Sequence, residues 1–178
     1  MQYLLKITVK DTHCWRLIAV DGIADLAFMG KLMALAFDYP DDKMSLIIDG
    51  KELDIGCGGE ASKVEQLNTF DSLNLDVEDT FEFKHSAYDL LTHSVTIMKK
   101  EEKLFCLMPS CLIGSLKVPK ESNVSPLTIE QYYNSDKIES LDLKAVTNNL
   151  RAYGSQRKDL NEAIVKAGGT PLVFKVGK

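Results

Sequence analysis

The sequence predicts an α+β fold, in which one helix packs across a mixed β-sheet and a helical extension follows. Three observations lead there. Short stretches of period-two alternation flank a single long stretch of helical period before Pro119. Asp, Gly and Pro clusters separate those stretches. After Pro119 the texture changes to helical spacing with narrow apolar faces.

The elements follow in order. In YLLKITV, Leu5, Ile7 and Val9 alternate with Lys6, Thr8 and Lys10, the pattern of a half-buried strand. Asp11-Thr12 supplies a turn, Cys14 to Val20 a second strand, and Asp21-Gly22 its end, so the two strands form a hairpin. Ile23 to Phe37 reads as a helix with a broad apolar stripe that Asp21 or Asp25 caps and Tyr39-Pro40 stops. Trp15 is expected to anchor the hairpin against that helix.

Lys43 to Ile48 is a third strand, and Asp49-Gly50 is a strong hairpin signal. A glycine-rich loop, Asp54 to Ser62, and a short helix or turn within Val64 to Leu75 follow. Thr80 to Lys84 and Ser94 to Met98 then alternate cleanly and are expected at the centre of the sheet. Leu104 to Met108 reads as one more strand, and Pro109 to Pro119 as a loop. Hairpin, helix, then further strands is a β-grasp-like order.

The division expected is an α+β domain over 1–119 and a helical extension over 120–178. Within the extension, Thr128 opens a short helix, and Leu141 to Tyr153 and Lys158 to Ala167 form two more. Thr170 to Val176 reads as a final strand. Such narrow-faced helices need the main domain, one another or a partner to pack on.

The formal net charge of −5 disfavours non-specific binding to nucleic acid. It hides a contrast, because Asp21 to Lys100 carries −9 and Lys144 to Lys178 carries +5. The opening apolar run is broken by Lys6 and Lys10, and no run approaches the ~18 residues of a membrane span. A cytoplasmic protein with no membrane partner is expected, its Cys14, Cys57, Cys106 and Cys111 present as reduced thiols.

One family resemblance covers the first ~120 residues. An alternating strand over Tyr3 to Val9 precedes the pair Trp15-Arg16 and a second strand reaching Val20. A helix ends in an aromatic-rich turn over Leu26 to Tyr39, and a strand closes at Gly50. An aromatic strand, Phe81 and Phe83, then runs into His85-Ser86-Ala87-Tyr88-Asp89, Leu91 and His93. Pro109, Cys111, Gly114 and Pro119-Lys120-Glu121 come last. This series resembles the plasmid pRiA ORF-3-like family, proteins carried by plasmids and other mobile elements. The family's run reads Tyr-Asp-Phe-Gly-Asp at its centre; here the frame, Asp89 and His93 are kept. The resemblance implies an α+β fold and an association with mobile elements, and it implies no particular activity.

Candidate chemistry is sparse. Asp89, His93 and Cys111 contain the residue types of a thiol nucleophile, its base and an orienting carboxylate, without a nucleophile signature around them. Cys57, Cys106 and Cys111 with His85 or His93 offer thiolate and imidazole donors, but no spacing typical of a zinc site. No metal or other cofactor is assigned. Gly56-Cys57-Gly58-Gly59-Glu60 lacks the Lys-Ser/Thr of a phosphate loop. Phe81, Phe83 and Tyr88 sit among acids, so a core face suits them better than base stacking.

Lys144, Arg151, Arg157, Lys158 and Lys166 make the extension basic and are the candidate partner-binding residues. The function expected is therefore a non-enzymatic protein-interaction module associated with mobile elements. The alternatives are nucleic-acid binding through the basic helices and, behind it, a small Cys/His enzyme.

Overall fold

The expected hairpin is formed by β1 (Gln2–Val9) and β2 (Trp15–Asp21), with Thr8 opposite Trp15 and Gln2 opposite Asp21. This computed structural model describes residues 1–57, 68–88, 91–120, 124–154 and 163–170. Tyr3, Leu5, Ile7 and Val9 are buried on one face of β1, as the alternation requires. At the turn the Thr12 hydroxyl donates to the Val9 carbonyl and accepts from the Cys14 N–H.

Helix α1 (Leu26–Ala36) is capped by Asp25, whose carboxylate accepts from the Phe28 N–H at 2.7 Å. All of its residues except Leu35 are buried. Even Lys31 is covered, in an ion pair with Asp41 and 5.9 Å from the Tyr153 ring. Strands β3 (Lys43–Ile48) and β4 (Lys51–Cys57) form a hairpin around Asp49-Gly50, both at positive φ. That two-residue turn matches strand twist, and glycine accepts its second position at no cost.

Strands β5 (Thr80–His85) and β6 (Thr92–Glu101) occupy the middle of the sheet, with Phe81 opposite Val95 and Phe83 opposite His93. The last strand is β7 (Ser110–Gly114), which pairs with β2. It lies in the stretch read above as a loop, while Leu104 to Met108 is irregular. Pairing explains the exchange. Leu104 donates its N–H to Gln2 and turns inward, whereas Cys111 pairs with Ile18 and its outer backbone groups bind the Thr147 hydroxyl at 3.1 Å each.

The strand order is β4-β3-β5-β6-β1-β2-β7. The fold is α+β, but the sheet is not mixed: each neighbouring pair is antiparallel. Two strands, β5 and β6, lie between β3 and β1 rather than one, and the second of them restores the antiparallel direction beside β1.

Helix α2 (Pro126–Tyr133) starts at a reciprocal cap between Ser125 and Thr128, and α3 (Leu143–Tyr153) at Asp142, which accepts from the Ala145 N–H. Ile129, Val146 and Leu150 join the main core, and Tyr153 stacks on Phe28 at 4.9 Å. Glu130 ties α2 to the first hairpin by accepting from the backbone and ring N–H groups of His13. Gly154 follows α3 at φ −61°. Its reason is close approach, since a Cβ there would fall 2.5 Å from Pro109 Cδ. Residues 163–166 are helical, the end of the helix expected over Lys158 to Ala167. The strand expected over Thr170 to Val176 lies outside the described residues beyond Thr170.

Trp15 does not anchor the hairpin on α1. Arg16, next to it, points to the helix side and is 1% exposed, so Trp15 faces the other side of the sheet, half-buried under Lys6. Phe83→Ala should therefore cost about 3–5 kcal/mol in chemical denaturation. Trp15→Ala should cost less than about half as much, because only part of its ring is buried. Equal losses would put Trp15 back in the core.

Candidate functional site

The polar groups of the core gather at the C-terminal end of α1. β6 places His93 on the helix side, where it is fully buried. Its Nδ1 lies 3.2 Å from the Phe83 carbonyl, which only accepts, so Nδ1 carries the proton. Nε2 then accepts from the Tyr39 hydroxyl at 2.9 Å. Phe37 and Phe83 stand 5.4 Å from the imidazole ring. Burial pushes the His93 pKa down to about 4, against the Phe83 carbonyl, and holds Tyr39 well above its ordinary value. Both groups are neutral and mutually satisfied at pH 7, a structural arrangement more than a catalytic one.

His85, the neighbour of this cluster, donates from Nε2 to the Pro40 carbonyl at 2.9 Å. Burial lowers its pKa too, with that carbonyl opposing. Its Nδ1 is buried and has no hydrogen-bond partner among the described residues.

The thiol proposed as nucleophile lies elsewhere. Cys111 is opposite Ile18, Ile18 opposite Leu5, and Leu5 opposite Ile97, four residues from His93. Three strand spacings and four residues separate Cys111 from His93 by roughly 14 Å across the sheet and about 13 Å along it. Burial also raises the Cys111 pKa, which disfavours a thiolate. Asp89 lies outside the described residues. Among those residues, no three His, Cys, Asp or Glu side chains cluster so as to hold a metal ion.

Of the basic residues, Lys144 and Lys166 are exposed. Arg151 is half-buried, and its Nε makes no hydrogen bond among the described residues. Lys144 and Arg151, seven apart on α3, share a face with the exposed Asn148. Arg157 and Lys158 lie outside the described residues. Within those residues, no helix is long and apolar enough to cross a membrane.

Arg16 has no place among the candidates above. β2 carries it onto the core side, where Nε donates to the Ala36 carbonyl at 3.0 Å, Nη1 to the Trp15 carbonyl at 2.8 Å and Nη2 to the Leu116 carbonyl at 3.1 Å. Nη1 also reaches Ser115, and the guanidinium lies 4.8 Å from the Phe37 ring. A cavity of about 250 Å³ opens beside it, between the end of α1, residues 117–120 and α3. Arg16 shares its parity with the core residues Ile18 and Val20, but Trp15, Leu17 and Ala19 on the other parity are apolar too, so the sequence did not single this residue out.

No family model matches the chain, and no curated protein does. Among solved structures, it is similar to a protein of unknown function, MM3350, from Methanosarcina mazei Go1. The identity is 17%, the TM-score 0.55, and the match spans 98% of this chain and 94% of that one. At that identity the likeness shows the fold, an α+β arrangement shared over nearly the full length.

His93 makes stability pH-dependent. Between pH 6.5 and about 4 the unfolded chain binds a proton there and the folded chain does not. Its contribution, up to about 3 kcal/mol, is therefore complete above pH 6.5 and lost as pH falls towards 4. Denaturation midpoints followed over that interval should fall less steeply for His93→Gln than for the parent chain. Parallel curves would mean that His93 takes up its proton at the same pH in the folded and unfolded chains.

Proposed function

We propose that the chain is a non-enzymatic interaction module that binds another protein through the corner of the sheet at β7. Phe105 carries this reading: it is fully exposed on the β6–β7 connection, while the other phenylalanines among the described residues pack inside. Leu107 is 70% exposed beside it, and Leu112 and Ile113 extend the apolar surface along β7. Lys99 and Glu101 from the end of β6, and Glu102 and Lys103 just after it, give it a rim of both signs. An apolar centre within a mixed polar rim suits a protein surface better than a polyanion. The distance between His93 and Cys111 weighs against the small-enzyme alternative.

The same reading takes in kinship and location. Hairpin, helix, hairpin, with the chain returning to the middle of the sheet, supports a β-grasp-like core in which a central pair replaces a single strand. Trp15-Arg16 entering β2 supports kinship with the plasmid pRiA ORF-3-like family and, with it, a role on mobile elements. Four free thiols support a cytoplasmic setting.

The test is capture of partners from a host lysate by the tagged chain, with and without nuclease, beside the double variant Phe105→Ser/Leu107→Ser and a Lys51→Ser control. A protein kept after nuclease and by the control, but lost by the double variant, is the expected result. Loss on nuclease treatment would move the function to nucleic acid and to Lys144, Arg151, Arg157, Lys158 and Lys166. Capture unchanged by the double variant, or self-association in place of a partner, would overturn the assignment of this surface.

A further inference from the structure

Arg16 is a cation held inside the protein. It is 1% exposed, and among the described residues no carboxylate pairs with it. Its partners are carbonyls and one hydroxyl. They occupy Nε, both Nη1 hydrogens and one Nη2 hydrogen, which leaves one Nη2 N–H of the five donors. Carbonyl dipoles replace part of the lost hydration, but they bring no net charge to offset the cation.

The cavity beside it has a consistent character. Leu35, Phe37, Val118, Leu141 and Val146 give it apolar walls. The charges at its mouth are already matched: Lys120 pairs with Asp38 at 2.6 Å, and Lys117 with Glu139 at 2.7 Å. Asp142, the remaining acid of the lining, is engaged as the cap of α3. Among the described residues, Arg16 is the cation of the lining without an ion pair and Asp142 the acid without one.

Room for that guanidinium comes from Gly114. A Cβ there would fall 2.8 Å from Arg16 Cδ and 2.9 Å from Leu141 Cδ2, so the glycine lets the side chain lie across β7.

We propose that this cavity binds a small organic carboxylate, its carboxylate paired with the Arg16 guanidinium and its apolar body held by the walls formed by α1, residues 117–120 and α3. One unmatched guanidinium in apolar surroundings suits a monoanion; a phosphate dianion needs more donors than remain. At about 250 Å³ the cavity is smaller than the ~300–1,000 Å³ of sites for drug-sized ligands, which favours a small acid over a nucleotide.

The experiment is a titration of the folded chain, followed by amide NMR and calorimetry, with phenylacetate, hexanoate, the neutral 2-phenylethanol and inorganic phosphate. Phenylacetate should bind at least about tenfold more tightly than the alcohol and shift the amides of Ala145 and Asn149. Ala145→Trp, at an exposed position of the lining, should abolish binding with Arg16 left in place. Arg16→Lys should weaken it by about tenfold, since an ammonium has three donors in place of five and cannot serve the surrounding carbonyls and the ligand together. Should Ala145→Trp fail to fold, Asn149→Phe blocks the same mouth.

Equal affinity for acid and alcohol would reduce the cavity to an apolar hole. Acid binding that survives both blocking variants would place it elsewhere. Tighter binding of phosphate, or no binding of either acid at millimolar concentration, would each overturn the proposal. Phe105→Ser/Leu107→Ser should bind phenylacetate as the parent chain does, which keeps this result separate from the partner surface.

Discussion

Helix α1 has no polar face, and the rest of the structure answers to that. LAFMGKLMALA offers only Lys31 as a charged group, and that lysine is itself buried. A helix apolar all round needs cover on every side. The sheet supplies one side and approaches so closely that a Cβ on Gly30 would fall 2.5 Å from Ile55 Cδ1. α3 supplies another, through the stacking of Tyr153 on Phe28. Val146 and Leu150 are therefore core residues in the same sense as Leu5 and Ile7. The narrow face of α3, too small to hold an isolated helix, is the size needed to close the outside of α1.

The polar groups of the interior follow from the same packing. Arg16 reaches the last turn of α1 because β2 runs beneath it, and residues 115–116 turn their carbonyls to it as the chain leaves β7. His93 and Tyr39 satisfy each other a short way off, both neutral. The two clusters meet at Phe37, whose ring lies against the guanidinium on one hand and the imidazole on the other. One cluster is closed in its hydrogen bonds and charge, and the other is open in both.

Local order was legible in the sequence, and lateral order was not. The first hairpin, α1, the Asp49-Gly50 turn and the strands around Phe81 and Val95 show in period and turn chemistry, which act over a few residues. β7 was missed because Leu104 to Met108, a continuous apolar run, reads as a strand at least as well as Ser110 to Gly114 does. The choice between them is made by Ile18 and Thr147, far away in the chain. In β2 both parities are apolar, Trp15-Leu17-Ala19 against Ile18-Val20, so nothing local says which side Arg16 takes. The trio with His93 and Cys111 failed for the same reason, because no local signal says that two strands would stand between β6 and β7.

The apolar surface and the Arg16 cavity lie on opposite sides of one short segment. Leu112 and Ile113 face outward from β7; Ser115 and Leu116, the residues that follow Gly114, hold the guanidinium with their carbonyls; Lys117 to Lys120 then line the cavity. A partner that grips β7 pulls on the strand that sets the Arg16 carbonyl shell. An anion that draws the guanidinium towards the cavity loads the same carbonyls from within. Whatever coupling the segment carries must be mutual, because two equilibria linked through one element shift each other's affinities by the same factor. Gly114 sits at the crossing point, where a side chain would meet Arg16 and the Trp15 carbonyl at once.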